Sequence, residues 1–168
     1  METVSKHNTC QASLKALGRI RHEMARTPSQ NVRFTGGSTG DCTNEPPGRG
    51  LTGQIAVRLR EKGFAVSEID NWRDSGWCFK VMIGEAEMEI AIASLQDRQS
   101  WMLQIACVSE PGLVAQLFGK RFTDRSAEVA ELAAAVDEVL RSLEMSAIRW
   151  RVDGFPTDEN STDGPSVP

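Results

Sequence analysis

Tyrosine is absent from this 168-residue chain, and both histidines, His7 and His22, lie among the first fifty residues. Nothing after residue 50 can therefore supply the imidazole of a Ser-His-Asp or Cys-His nucleophile, or of a histidine-bound zinc. The four cysteines, Cys10, Cys42, Cys78 and Cys107, are too far apart for a CxxC pair, which removes the zinc-ribbon and thioredoxin-type readings. No metal or cofactor is implied. No apolar run reaches the ~18 residues of a membrane-spanning helix. Lysine is scarce, 5 residues against 14 arginines. Arginine's planar fork suits phosphate, but these arginines do not cluster and the formal net charge is −4, so neither nucleic acid nor membrane is an expected partner. With no secretory signal to be seen, reduced thiols and a cytoplasmic protein are expected.

What is present is the composition of a globular domain: 40% hydrophobic and 25% charged residues, in a length that suits one such domain. The charge is uneven, at +3 over residues 1–50, −3 over 51–152 and −4 over 153–168. Residues 27–50, "TPSQNVRFTGGSTGDCTNEPPGRG", are rich in Gly, Pro, Ser, Thr and Asn and lack hydrophobic periodicity. Such a segment buries too little surface to offset its ordering entropy. Residues 1–50 are accordingly read as an N-terminal extension with a disordered linker, 51–152 as the folded core, and 153–168 as a disordered acidic tail. Within the extension, Leu14, Leu17, Ile20 and Met24 recur at near-helical spacing, interrupted by Gly18. A loosely attached amphipathic helix, the product of a misplaced start codon and an Arg-rich targeting segment all fit that stretch. "TGGSTGDCT" lacks the lysine of a phosphate loop. Asn160-Ser161-Thr162 matches a glycosylation sequon without a signal to make use of it.

The core pattern predicts an α+β fold. Leu51, Ile55 and Leu59 form a helical stripe, with Thr52 as a candidate N-cap and Gly63 as the left-handed C-terminal residue. A short strand is expected over 65–69. "WCFKVMI" then alternates, with Trp77, Phe79, Val81 and Ile83 opposed to Cys78, Lys80 and Met82. Gly84-Glu85 fits a two-residue turn. Met88, Ile90 and Ile92 follow on one face, with Glu87 and Glu89 on the other. "WMLQIACV" completes a three-stranded antiparallel meander. "GLVAQLFGK" reads as a short helix. Val129, Leu132, Ala133, Val136, Val139, Leu140 and Leu143 mark a long closing helix that Thr123 or Asp124 can cap. "AIRWRV" alternates as one more strand, joining the sheet edge or pairing with a second copy in a homodimer. The expected architecture is this meander plus one or two further strands, packed on one face by two or three helices.

An alternating sheet has one covered face and one wet face. Glu87 and Glu89 need no explanation beyond solvating the wet face. The alternative is that this face binds another protein, since a mixed surface of methionine and charge suits a protein partner better than a small polar substrate. Its candidate residues are Lys80, Met82, Glu87, Glu89 and Met102, together with the aromatics Trp72 and Trp77 of the adjoining loop. No catalytic residue is assigned, although two sets offer chemistry. Cys78 stands near Lys80, and a cation can lower a thiol pKa. Asp70 and Asp74 flank Trp72, and paired carboxylates beside an aromatic can do acid–base work; turns are also rich in Asp for structural reasons. A small-ligand pocket between the closing helix and the sheet is the remaining alternative.

The element order carried by "LREKGF", "DSGWCFKVMI" and "EMEIAIA", over roughly residues 54–145, resembles two groups of small bacterial proteins. These are the type III secretion chaperones and the YbjN-like proteins described as sensory transduction regulators. The chain lacks the extra hairpin that the chaperones insert between their last two helices. The resemblance implies a non-catalytic accessory, chaperone-like or regulatory protein that binds another protein.

Overall fold

A computed structural model describes residues 27–36, 46–95, 99–108 and 123–167. The expected N-terminal helix, both histidines, most of "TGGSTGDCT" and the "GLVAQLFGK" helix lie outside these residues.

The alternating segments form the meander. β4 (Gly76–Ile83) pairs with β5 (Ala86–Ser94), and β5 with β6 (Ser100–Cys107), all antiparallel. The β4–β5 turn is the two-residue Gly84-Glu85, with Gly84 at φ 57. Glycine at the first turn position matches the twist of a tight hairpin. Two short pieces flank the free edge of β4. These are β2 (Ala65–Val66) and β3 (Asp70–Trp72). "DNWRDSGW", expected as turn alone, is thus β3 joined to β4 by a turn whose central residues, Arg73 and Asp74, both have positive φ.

The largest departure from expectation is on the other side of β6. Gln30–Thr35, read above as linker, is a strand, β1, with Val32 and Phe34 fully buried. It pairs with β6 on one side and with β7 (Ser146–Val152) on the other. The sheet has seven strands in the order β2-β4-β5-β6-β1-β7, with β3 also on β4. The closing strand therefore joins the sheet through a segment 111 or more residues distant in sequence, as in the Thr35–Ser146 contact. The five-residue alternation Asn31-Val32-Arg33-Phe34-Thr35 was the sequence signal. Its Gly- and Pro-rich surroundings outweighed it.

Both described helices cover the same face. α1 (Arg49–Glu61) buries Leu51, Ile55, Ala56 and Leu59. α2 (Ser126–Ser142) buries Val129, Leu132, Ala133, Val136, Val139 and Leu140. Opposite them stand Val32, Phe34, Phe79, Val81, Met88, Ile90, Ile92, Trp101, Leu103, Ile105, Ile148 and Trp150, all in one core. The fold is α+β, as the pattern of periods 3.6 and 2 implies.

Helix ends differ in part from the sequence reading. α1 begins after Gly48, and Thr52 lies inside the first turn, where its hydroxyl donates to the Gly48 carbonyl at 2.7 Å. Asp124 does serve the start of α2, accepting from the Ser126 amide at 2.9 Å. The Ser126 hydroxyl, and after it this amide bond, hold the Asp124 carboxyl below its ordinary pKa. α1 closes as a Schellman motif. The Gly63 amide donates to the Arg60 carbonyl and the Phe64 amide to the Leu59 carbonyl, with Gly63 at φ 93. α2 closes the same way through Glu144 and Met145, but the left-handed position is Glu144 at φ 57. A β carbon there is strained. Glu144→Gly is therefore expected to stabilise the protein by about 0.5–1 kcal/mol, read as a rise in urea midpoint with unchanged slope. A fall in midpoint would show that Glu144 makes a compensating contact.

The tail differs as well. Beyond Asp153 and Gly154, which turn the chain with positive φ, residues 155–167 run back along the sheet. Thr162 forms a two-bond antiparallel bridge with Trp150, at 2.8 and 2.9 Å. A stretch expected to be disordered is thus tied to the fold by backbone pairing, which composition does not register.

Candidate functional site

The face away from the helices carries the candidate residues, and register places them in rows across the strands. In the first row, Arg149, Arg33, Met102 and Ala93 are in line, and Trp72 lies opposite Gly76 at its far end. In the second, Arg151, Asn31, Gln104, Ala91, Cys78 and Asp70 align. In the third, Ala106, Glu89 and Lys80 align, and Glu87 and Met82 follow beside them. Period-2 geometry puts these side chains together because each neighbour in sequence is turned into the core.

Six of the seven candidates, Trp72, Lys80, Met82, Glu87, Glu89 and Met102, share this outer face. Trp77 does not. It lies on the helix side, where its indole nitrogen donates to the Pro46 carbonyl at 2.9 Å. The guanidinium of Arg49 sits 5.4 Å from its ring centroid. Trp77 thus fastens the start of α1 to β4, in keeping with its place in the alternation beside Phe79 and Val81.

The centre of the outer face is low, because Ala91, Ala93, Ala106 and Gly76 carry little or no side chain. Around it stand longer groups. Met82 is 41% exposed, a large thioether side chain left at the surface. Lys80 donates to Glu87 at 2.7 Å across the strands and is directly opposite Glu89. The hydrogen bond to Glu87 holds the Lys80 ammonium above its ordinary pKa. Both groups are accessible, so the pair adds little stability and remains available to a partner.

The chemistry available to the catalytic alternatives is weaker than their sequence positions imply. Burial pushes the Cys78 thiol pKa up, Glu89 and Asp70 push it further, and the opposing pull of Lys80 is the smallest influence. The thiolate fraction is therefore reduced, the reverse of nucleophile activation. Asp70 accepts from the Asn71 amide at 2.8 Å, and the Asn71 side chain accepts from the Asp74 amide at 2.7 Å. The Asp70 carboxylate is thus engaged by the neighbouring amide, and Asp74 enters the β3–β4 turn through its backbone amide. No group of three or more His, Cys, Asp or Glu side chains among the described residues is placed to hold a metal ion. A shallow groove of about 260 Å³ lies at the end of β4, lined by Lys62, Phe64, Met82, Ile83 and Glu131 among others.

Sequence reasoning missed Arg33 and Asn31, because it assigned β1 to a linker. Asn31 is fully buried on the outer side of β1. Its side-chain nitrogen donates to Ser29 at 3.2 Å, while its side-chain oxygen has no partner.

No family model, curated protein or solved structure matches this chain. No helix among the described residues is long and apolar enough to cross a membrane.

Proposed function

We propose that this chain is a non-catalytic accessory protein that binds another protein through the outer face of its sheet. The observation that carries the reading is the gathering on one face of Trp72, Met82 and Met102 with Lys80, Glu87 and Glu89, around a floor of alanine and glycine. Large side chains around a low floor offer shape to a partner, and methionine adapts to an irregular surface. Alternating charge at Lys80 and Glu87 sets register with the partner more than it adds affinity. The resemblance of element order to secretion chaperones and to the YbjN-like regulators supports the same class: a chaperone-like or regulatory factor of the bacterial cytoplasm.

The test is affinity capture with the tagged full chain from its native cell, beside Met82→Asp and Met102→Asp. Wild type is expected to retain one stoichiometric partner. Each variant is expected to lose it, because the substitution removes an apolar anchor from the interface and places a strongly hydrated carboxylate where the partner's surface must pack. Both variants are expected to keep a cooperative thermal transition within a few degrees of wild type. Undiminished capture by both would remove the outer face from consideration.

A further inference from the structure

The tail from residue 155 onward is attached to the fold in an unusual way. Residues 153–168 hold four acids, Asp153, Asp158, Glu159 and Asp163, and no lysine or arginine. They lie against arginines. Asp158 pairs with Arg33 and Asp163 pairs with Arg149. Arg151 donates to the Phe155 carbonyl at 3.1 Å, and Arg141 of α2 donates to the Asp163 carbonyl at 2.7 Å. Thr162 supplies the bridge to Trp150, and the Gln30 side chain exchanges two hydrogen bonds with the backbone of Ser166.

Two features limit the strength of this attachment. The side chains of Asp158 and Asp163 are 80% and 86% exposed, so their ion pairs are weak and screened by salt. The backbone pairing is a single bridge, whereas the opposite side of β7 is paired with β1 along the strand. The docking residue is itself fixed: Trp150 is almost fully buried, and its indole donates to Asp137 at 2.9 Å. A rigid strand edge flanked by arginines is thus covered by an acidic segment held through one backbone bridge, two exposed ion pairs and side-chain hydrogen bonds. Sheet edges that are covered in this way accept other extended chains when the cover leaves.

We propose that the outer edge of β7, with Arg33, Arg149 and Arg151, is a receptor for an acidic peptide, and that residues 155–167 occupy it in cis as a displaceable strap. The ligand class is read from the occupant: an acidic segment that turns at residues 158–160, pairs with the strand edge at Thr162, and carries carboxylates at Asp158 and Asp163. A tail donated by a second copy of the chain belongs to that class. The inference does not rest on the outer-face reading given above, although the two surfaces adjoin where Arg33 stands opposite Met102.

The test uses the full chain. The probe is a fluorescent peptide with the sequence of residues 155–167, and anisotropy reads its binding. Asp158→Lys with Asp163→Lys breaks both anchors and leaves the tail attached. This double variant is expected to bind the peptide about ten-fold more tightly than wild type, since two exposed ion pairs no longer compete in cis. Adding Arg149→Glu is expected to abolish that gain, and raising salt to ~0.3 M is expected to weaken it. A peptide carrying the same two lysine substitutions is expected not to bind.

Equal affinity for wild type and the double variant would overturn the proposal. So would binding that Arg149→Glu leaves unchanged, or displacement of the peptide by an oligonucleotide of equal charge. Loss of cooperative unfolding in the double variant would make the strap part of the core, and that too would overturn it.

Discussion

Replacing Phe34 with alanine is expected to destabilise the protein by about 3–5 kcal/mol. Phe34 is fully buried one residue from the end of β1, opposite Trp101 of β6. Truncation removes most of an aromatic side chain from a core in which both neighbouring strands and the helices are fixed, so the site cannot collapse around the gap. A domain of this size is stable by roughly 5–15 kcal/mol in total, so the loss approaches a large share of the whole. Arg33→Ala, one residue away on the outer face, is expected to change stability by no more than about 0.5–1 kcal/mol. Urea unfolding of the two variants gives the comparison. A cost below ~1 kcal/mol for Phe34→Ala would show that β1 is an accessory strand. The same reasoning bears on truncation. A fragment that starts at residue 51 lacks the strand between β6 and β7, leaves both with unpaired backbone over a buried face, and is expected not to fold cooperatively.

Gly76→Ala is expected to cost about 2–3 kcal/mol. A β carbon on Gly76 would lie 2.1 Å from the Ile92 carbonyl oxygen and 3.0 Å from the Ala93 Cα. Both obstacles are backbone of the neighbouring strand, so no side-chain rotation relieves them. β4 and β5 must separate where the meander begins, which lengthens ladder hydrogen bonds and strains the packing of Phe79 against the core. Gly84→Ala is the control, since nothing lies within 4 Å of its β carbon and only the positive φ is strained. Its expected cost is about 1 kcal/mol. Thermal or urea denaturation that found Gly76→Ala no worse than Gly84→Ala would mean that the strands part there without penalty.

These two positions mark where reading the sequence succeeded and where it stopped. The meander was legible because β4, β5 and β6 each alternate over seven or more residues, and the Gly84-Glu85 turn fixes the register of β4 on β5. α2 was legible because its apolar stripe runs through the whole helix, from Val129 to Leu140. The outer-face candidates followed from the same alternation, with one exception. Trp77 was grouped with Trp72 as loop aromatics, although its own parity assigned it to the helix side.

β1 was not legible. Its two buried residues, Val32 and Phe34, sit among Gly, Pro, Ser and Thr, and their burial depends on β6 and β7, which arrive 65 or more residues later. The tail was not legible either. Its order comes from a bridge to Trp150 and from arginines on β1 and β7, none of which is near it in composition terms except β7. The αL conformation of Glu144 is a third case, since nothing about a glutamate announces a left-handed helix end.

By itself, the sequence determined the local periods, and through them the α+β class, the meander and the two faces of its strands. It also determined that residues 51–152 contain no histidine, whatever the fold. Only the tertiary structure decided which strand fills the gap between β6 and β7, that the acidic tail closes the β7 edge, and that Cys78 is a suppressed thiol. The physical reason is range. Periodicity is written in neighbours a few residues apart, whereas strand pairing, edge covering and desolvation depend on groups that come together only when distant segments fold onto one another.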